Sequence, residues 1–345
     1  MSGNAFQGDP PPDSTPPRRR KRRLLNRILI VVAAVVVLAA GVGGAYLYSI
    51  NRSLTQNLSR SDSLPDETPT APGQSPRPPV SPQATGALNY VLLGSDSRNT
   101  ADSGAGRSDT IMVVHLNAKR DKAYIMSFPR DMYVDIPGHG KNKINAAFAY
   151  GGTKLTVATL ENLLGVRMDH VALVDFEGFI QLTDELGGVT VKNSTAFTSH
   201  GFDYPKGDIT IKGEQALWFV RERHALPRGD LDRAENQRNV TRAIVEKGLS
   251  GSTMADPVKY LKFVSGVAKH LTVDSTLSDA EIRSTALSIR LSDKDIESVQ
   301  APLSGFGTTS GGASIDIVDQ AQMKKLATAL RDDKMAGYVK NNPQS

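Results

Sequence analysis

Four segments of strand length are almost continuously apolar along this chain, at residues 89–94, 110–116, 123–128 and 170–174. An apolar run without polar alternation is typical of a strand that is covered on both faces of its sheet. Pro129 directly follows the third run and stops it, because proline cannot donate to a strand ladder. The pattern therefore predicts a buried sheet near the start of the folded part.

Apolar residues also recur at helical spacing, in segments 155–164, 176–186 and 260–271. The second of these ends at Gly187 and Gly188, a common signal for a helix C-terminus. Strands and helices that alternate in this way predict an α/β fold, with a central mixed β-sheet covered by helices on both faces.

The N-terminal region combines a basic run at residues 18–23 with an uncharged apolar stretch at residues 28–48. About 20 apolar residues cross a bilayer as a helix, whereas the apolar part of a cleaved signal peptide spans about 7–15 residues. The length favours a single transmembrane helix over a cleaved signal. Because flanking Lys and Arg stay inside, residues 1–27 are expected to form a disordered cytoplasmic stub. The folded part would then be extracytoplasmic in a single-pass protein of the cell membrane.

Composition divides the remaining chain. Residues 49–86 are rich in Ser, Thr, Pro and Asp, which predicts a solvated extracytoplasmic linker. Residues 87–345 are long enough for one large domain. The net charge of +5 comes from residues 1–27, where seven Lys and Arg outnumber two acids, so it is no argument for a nucleic-acid partner. The chain has no cysteine and therefore no disulfide.

Three motifs pair Asp with Arg where the predicted strands begin or end. They are Gly94-Ser95-Asp96-Ser97-Arg98, Gly106-Arg107-Ser108-Asp109-Thr110 and Phe128-Pro129-Arg130-Asp131. One such pair is more often a surface salt bridge or a turn cap. Three of them at adjacent strand ends favour a ligand site. Carboxylates together with substrate phosphates are the usual ligands of Mg²⁺.

Arginine is unusually dense between residues 221 and 237. Crowded guanidinium groups need anions nearby, either the acidic side chains of the same stretch or a phosphate group, which their planar fork fits. Arg233 and Gln237 would share one face of a helix. Arg221 and Arg223 would share one face of an extended segment. Both pairs are compatible with one convergent site.

Taken in order, these motifs and several others resemble the LytR-CpsA-Psr family over about residues 88–250. The matching segments are Gly-Arg-Ser-Asp-Thr at 106–110, Pro-Arg-Asp at 129–131, Lys-Ile-Asn-Ala-Ala at 143–147, Tyr-Gly-Gly at 150–152, Leu-Gly-Gly-Val at 186–189, Gly-Glu-Gln-Ala-Leu at 213–217, Val-Arg-x-Arg at 220–223 and Asp-x-x-Arg-x-x-x-Gln at 230–237. The resemblance implies an enzyme that moves a glycopolymer from a polyprenyl-pyrophosphate carrier onto peptidoglycan. Residues 251–345 would complete the domain.

The resemblance also implies a role for each matching residue. Asp96 and Asp109 would hold a divalent ion, Mg²⁺ or Mn²⁺, on the pyrophosphate. The implied phosphate-binding residues are Arg98, Arg107, Arg130, Arg221, Arg223, Arg233 and Gln237. The implied catalytic group is Asp109, Arg130, Asp131 and Arg233. The general base is expected at Asp131, or at Asp109 if that residue is not bound to metal.

Two positions depart from the family pattern. Asn236 stands where arginine is frequent, and Asp232 stands where glycine is usual, and both could change affinity or acceptor choice. Apolar residues between 144 and 186, such as Phe148 and Phe176, are explained by ordinary core packing. Only the resemblance implies that some of them line a polyprenyl pocket.

Two other functions stay open at this point. One is a regulatory protein of the transcription-attenuator type, although the basic run at residues 18–23 contains no helix-turn-helix pattern. The other is a membrane-anchored scaffold that binds lipid-linked glycan without turnover. Retention of Asp96, Asp109 and the arginines favours an enzyme that binds the lipid-linked glycan and a peptidoglycan acceptor at the membrane.

Overall fold

The structure is a computed structural model, and it describes residues 48–50, 52–69, 76–95 and 108–343. The strands are β1 (Ser59–Ser61), β2 (Leu88–Ser95), β3 (Ser108–Leu116), β4 (Ala123–Ser127), β5 (Tyr133–Ile136), β6 (Gly140–Lys143), β7 (His170–Asp175), β8 (Val189–Asn193), β9 (Phe197–Ser199), β10 (Phe202–Tyr204), β11 (Gly207–Ile211), β12 (Thr272–Asp274), β13 (Ile296–Gln300), β14 (Leu303–Thr308) and β15 (Ser314–Val318). The helices are α1 (52–57), α2 (Ala146–Leu164), α3 (Phe176–Glu185), α4 (Gly213–Arg221), α5 (Asp230–Leu249), α6 (Gly251–Met254), α7 (Pro257–Lys269), α8 (Asp279–Ser288), α9 (Gln320–Arg331) and α10 (Met335–Asn341).

The main sheet is mixed, and within the described ranges its strand order is β1-β12-β7-β2-β3-β4-β13. β7 runs parallel to β2, and β3 is antiparallel to both β2 and β4. The carboxyl ends of β2, β4 and β7 therefore meet the start of β3 at one edge. This edge collects the described parts of the three Asp–Arg motifs, which are residues 94–95, 108–110 and 128–131.

Helices cover both faces of this sheet, which confirms the predicted α/β class. On one face, α2, α9 and α10 pack Leu160, Leu326 and Tyr338 against Val113 and Met126 of the sheet. On the opposite face, Met112 and Ile125 pack against the C-terminal half of α5. All five residues of β4 are buried, because this strand is covered from both sides.

A second apolar cluster packs α4 and the middle of α5 against two hairpins, β8–β11 and β9–β10. Its members include Val191, Phe197 and Tyr204 from the hairpins and Phe219 from α4. The Phe197 and Tyr204 rings stack with centroids 4.5 Å apart. This cluster fixes the segment between α4 and α5, which carries the dense arginines.

The segment before β2 is packed onto the domain, which differs from the solvated linker predicted for residues 49–86. β1 pairs in parallel with β12 at the edge of the main sheet, and Leu54 and Leu64 are buried. The Arg77 guanidinium forms an ion pair of 2.7 Å with the buried carboxylate of Glu161 on α2. The compact unit accordingly starts at Ile50 rather than at residue 87.

Within the described part, no helix is both long enough and apolar enough to span a bilayer; nearly all of the stretch predicted to do so, residues 28–47, lies outside it. Residues 304–308 belong to β14, and the turn at residues 309–313 joins it antiparallel to β15. Glycines at 305, 307, 311 and 312 hide this hairpin from a pattern-based prediction, because they lack apolar side chains.

Candidate active site

Asp109 and Arg130 meet at the sheet edge where the predicted motifs converge. Asp109 is the second residue of β3, and Arg130 follows β4, the neighbouring antiparallel strand. The Arg130 Nη1 group donates a hydrogen bond of 2.5 Å to Asp109 Oδ1. Burial opposes the charge of Arg130, but Asp109 and the nearby carboxylates raise the pKa of its guanidinium above the usual range. Arg130 is therefore a fixed cation at this edge.

The carboxylate of Asp230, at the start of α5, is surrounded by three guanidinium groups. Its Oδ1 lies 2.7 Å from Arg233 Nη2, 3.5 Å from Arg130 Nε and 3.9 Å from Arg223 Nη1. None of these contacts has hydrogen-bond geometry, and Nε of both Arg130 and Arg233 lacks a hydrogen-bond partner within the described part of the chain. Buried donors without partners are costly. These arginines are thus drawn together by one carboxylate and retain donors for another anion.

Arg233 is the most buried member of this cluster, with 5% of its side chain exposed. Burial lowers the pKa of its guanidinium, although the carboxylate of Asp230 acts in the opposite direction. Four residues later on the same helix face, Gln237 donates from Nε2 to the Val220 carbonyl at 3.2 Å and to the Asp109 carbonyl at 3.4 Å. Gln237 thus ties α5 to both α4 and β3, as expected for residues that share one site.

Arg221 ends α4, so it is not in the extended segment predicted for it. Its guanidinium lies 4.3 Å from the centroid of the Phe176 ring and 5.1 Å from that of Trp218. The next residue, Glu222, accepts hydrogen bonds from the backbone N–H groups of residues 223, 224 and 225 and from the Ser199 hydroxyl. Burial opposes its ionisation, but these hydrogen bonds lower the pKa of Glu222 to about 2. The anionic Glu222 fixes the turn that presents Arg223.

The salt-bridge alternative accounts fully for Arg228, whereas Arg223 and Arg233 share the single carboxylate of Asp230. Arg228 pairs with Asp232 at 2.7 Å and also contacts Glu235, and 49% of its side chain is exposed. Asp232, one of the two departures from the family pattern, therefore belongs to a surface network. Asn236, the other departure, is buried and donates to the Phe219 carbonyl at 3.3 Å.

An apolar cavity of about 650 Å³ opens directly beside the arginines. Asp109, Arg130, Arg221, Arg223 and Arg233 line its polar end. The apolar wall is built from Leu92, Met112, Val174, Phe176, Phe179, Leu182, Leu217, Val240, Ile244, Val245, Val267 and Leu271. Of the apolar residues between 144 and 186, Phe176, Phe179 and Leu182 of α3 line this cavity. Those on α2, including Phe148 and Leu160, lie in the core on the other face of the sheet.

Asp131 forms an ion pair of 2.8 Å with Lys143, the last residue of β6, and lies 3.9 Å from Arg130 Nε. The sequence motifs assign no role to Lys143 or Asp230, yet Lys143 contacts Asp131 and Asp230 contacts Arg233. The contact between Asp230 and Arg233 could have been predicted from their spacing, because residues three apart on a helix are neighbours.

Asp96, Arg98 and Arg107 lie outside the described residues. Within the described ranges, no group of three or more His, Cys, Asp or Glu side chains is arranged to hold a metal ion. Asp109 nevertheless lines the cavity and offers one carboxylate. One or two carboxylates that act together with substrate phosphates are enough for Mg²⁺.

The chain resembles known proteins in family, in sequence and in structure. The model of the LytR_cpsA_psr family matches residues 49–332. The chain is 36% identical over 251 residues to the polyisoprenyl-teichoic acid–peptidoglycan teichoic acid transferase TagU of Bacillus anthracis, covering 72% of this chain and 80% of TagU. The crystal structure of TagV from B. subtilis has a TM-score of 0.63 at 26% identity, covering 72% of this chain and 97% of TagV. The structure of TagT bound to LIIa-WTA has a TM-score of 0.57 at 30% identity, covering 73% of this chain and 92% of TagT.

Proposed function

We propose that this chain, which belongs to the LytR_cpsA_psr family, transfers a glycopolymer from a polyprenyl-pyrophosphate carrier to a hydroxyl group of peptidoglycan. The curated relatives are named as transferases of this kind, and the family resemblance read from the sequence motifs is confirmed. The observation that carries the proposal is the position of the arginine cluster at the polar end of an apolar cavity. Such a site suits a ligand that joins a diphosphate to a long hydrocarbon.

The geometry divides the work of binding between two ends of one cavity. Hydrocarbon burial contributes roughly 25 cal/mol per Å² of apolar surface removed from water, without directional contacts. Arg130, Arg223 and Arg233 would bind the diphosphate, because guanidinium groups match phosphate oxygens two at a time. Asp230, which holds these arginines together, already shows that the cluster accepts an anion.

Transfer needs charge neutralisation more than covalent catalysis, since the diphosphate is already activated. An acceptor hydroxyl attacks the phosphorus that carries the glycan, and polyprenyl phosphate leaves with the bonding electron pair. The guanidinium groups of Arg130 and Arg233 stabilise the negative charge that develops on the leaving phosphate. No nucleotide is consumed, which suits a reaction outside the cell.

The metal and the membrane topology belong to the same proposal. Asp109, with Asp96, would hold Mg²⁺ or Mn²⁺, and the ion would neutralise charge on the diphosphate. Residues 1–27 would lie in the cytoplasm, residues 28–48 would span the membrane, and the folded domain would lie outside. Chelation and Asp109→Ala should each abolish transfer by the full-length chain, and added Mg²⁺ should restore it only to the chelated wild type. Full transfer in chelator would remove the ion from the reaction.

Arginine variants test the site directly, and Arg228 offers a matched control from the same stretch. Arg223→Ala and Arg233→Ala should each weaken binding of a polyprenyl pyrophosphate at least ten-fold, because a charge-assisted contact is worth roughly 1.5–3 kcal/mol. Arg228→Ala should leave this affinity within two-fold, since its partners are the surface carboxylates at 232 and 235. Binding can be measured by calorimetry on the folded fraction of each variant. Equal affinity in all three variants would refute the proposed phosphate site.

A further inference from the structure

One buried carboxyl group outside every motif lies beside this site. Asp316 is in β15, and its backbone N–H donates a hydrogen bond of 2.9 Å to the carbonyl oxygen of Asp131. The next residue, Met132, forms an isolated parallel β-bridge with Asp316. Asp316 is only 6% exposed, and its Oδ2 has no hydrogen-bond partner in the described part of the chain. A buried polar atom without a partner is unusual in a folded protein and needs an explanation.

The charged groups around Asp316 are those of the site itself. Asp109, Asp131 and Asp230 each form an ion pair with an arginine or a lysine, whereas Asp316 forms none with any described residue. Burial, reinforced by the carboxylates of Asp131 and Asp230 and opposed by the Lys143 ammonium, raises the pKa of Asp316 to about 6. A carboxyl group that exchanges its proton near neutral pH is suited to acid–base catalysis.

An exposed aromatic ring stands opposite this carboxyl group. Phe306 of β14 is the register partner of Asp316, and 67% of its surface is exposed. Directly opposed residues of an antiparallel pair share one face of the sheet, with Cα atoms about 4.5–5.5 Å apart. One face of a sugar ring consists of C–H groups. These groups pack against the face of an aromatic ring, which is apolar and carries partial negative charge. An exposed ring and a carboxylate without an ion-pair partner among the described residues thus share one face of the hairpin, and the backbone of Asp316 joins this hairpin to Asp131.

We propose that Asp316 accepts the proton of the acceptor hydroxyl and that Phe306 binds the acceptor sugar ring; both roles rest on the transferase function proposed above. The β14–β15 hairpin is then the acceptor side of the active site, and the cavity is the donor side. The sequence predicts Asp131 or Asp109 as the base; we assign this role to Asp316 because Asp131 pairs with Lys143 and Asp109 with Arg130.

The step balances as a simple displacement. The acceptor oxygen forms a bond to the glycan-bearing phosphorus as the bond from that phosphorus to the bridging oxygen breaks. The bonding electron pair leaves with polyprenyl phosphate, and the hydroxyl proton passes to the Asp316 carboxylate. Asp316 later returns this proton to solvent, so no further reactant is required.

The test uses the full-length chain with a polyprenyl-pyrophosphoryl disaccharide as donor and a short peptidoglycan glycan as acceptor, with products read by mass spectrometry. Asp316→Asn should lower the transfer rate at pH 7.5 at least 100-fold, because a general base contributes about 10²–10⁴-fold. Donor affinity should stay within two-fold of wild type. The wild-type rate should rise with pH through about 6 and then level off, and the variant should lose this dependence.

The aromatic ring is tested separately through the acceptor. Phe306→Ala should raise the KM for the acceptor about ten-fold with little change in kcat or donor affinity, and Phe306→Tyr should restore the wild-type KM. Ile317→Ala is the matched control, because Ile317 is 42% exposed on the other face of the same hairpin and should leave the acceptor KM unchanged.

Three outcomes would overturn the inference. They are transfer by Asp316→Asn within three-fold of wild type, a wild-type rate that does not change between pH 5 and 7, and equal acceptor KM values for Phe306→Ala and wild type. If Asp316→Asn does not fold, the Phe306 variants and the wild-type pH profile together still test the inference. If the wild type itself binds donor but never transfers it, the proposed function fails instead, and a binding protein without turnover is favoured.

Discussion

Asp230 provides a direct test of how the arginine cluster is held in the ligand-free protein. Replacing Asp230 with Asn removes the one carboxylate that Arg130, Arg223 and Arg233 share, while side-chain size is preserved. Removing one partner of a buried ion pair costs about 3–5 kcal/mol, because the other charge is left buried and unpaired. Since 38% of the Arg223 side chain is exposed, we expect a somewhat smaller loss, about 2–4 kcal/mol.

A loss of this size is measurable by thermal unfolding. At an unfolding entropy of about 2.1 cal/mol/K per residue, 1 kcal/mol shifts the melting temperature of a unit of this length by about 1.6 °C, so the melting temperature should fall by about 3–6 °C. Inorganic pyrophosphate should stabilise Asp230→Asn more than the wild type, because the bound anion replaces the missing carboxylate. Ligand at about 100 times its Kd stabilises by about 2.7 kcal/mol, which is enough to recover most of the loss.

Asp232→Asn is the matched control, two residues further along the same helix. Its partner Arg228 is half-exposed, so the change should cost less than about 1 kcal/mol and should not alter the response to pyrophosphate. Equal melting temperatures for Asp230→Asn and wild type, or equal stabilisation of both by pyrophosphate, would refute the reasoning. The three arginines would then need no carboxylate shared between them, beyond the pairing of Arg130 with Asp109.

Three further predictions concern other parts of the domain. Arg77→Met should lower the free energy of unfolding in urea by about 3–5 kcal/mol, because its carboxylate partner on α2 stays buried; Arg167→Met, whose glutamate partner is exposed, should cost less than about 1 kcal/mol. Burial opposes protonation of His170, but the buried carboxylate of Asp274 raises the pKa of the imidazole. The protonated form therefore stabilises the fold, and wild-type stability should fall as pH rises above about 6.5, whereas His170→Gln should show no such fall. Ile244→Trp should occupy part of the cavity and weaken binding of a long-chain prenyl pyrophosphate at least ten-fold, with unchanged binding of inorganic pyrophosphate. An equal loss of affinity for the two ligands would contradict a cavity with separate lipid and phosphate ends.

The central strands could be predicted from the sequence because burial on both faces leaves a local signature. Strands β2, β3, β4 and β7 all coincide with apolar runs that need no knowledge of their neighbours. The helices α3 and α7 are likewise apparent from their apolar spacing. Each of these elements is specified by residues within its own length.

The strands β1 and β14 could not be predicted in this way. The three residues of β1 are Ser-Arg-Ser, and β14 contains two glycines, so neither carries an apolar pattern. Their positions depend on partners far away in the sequence, β12 for the first and β15 for the second. Edge strands with polar residues and glycine are common because they resist pairing with other molecules.

The site residues also divide into those that the sequence predicts and those that depend on tertiary packing. Convergence of Asp109 and Arg130 follows from motifs at strand ends, and the structure brings Arg233 of α5 to them through Asp230. The pairing of Lys143 with Asp131 and the approach of Asp316 depend on how two small hairpins pack beside the sheet. Side-chain contacts of that kind are set by tertiary structure, and no spacing in the sequence reports them.

The long-range pairing of both sheet edges has a consequence for how this protein folds. β1 precedes the whole domain but pairs with β12, and β13 returns near the C-terminus to pair with β4. Contacts between residues so far apart in sequence form slowly, because the intervening chain must be ordered first. The motif-bearing segment 88–250 contains neither β1, β12 nor β13, so a chain that stops after it lacks both outer strands of its sheet. We therefore expect the last hundred residues to act late in folding, when β12 and β13 complete a sheet whose central strands precede them in the chain.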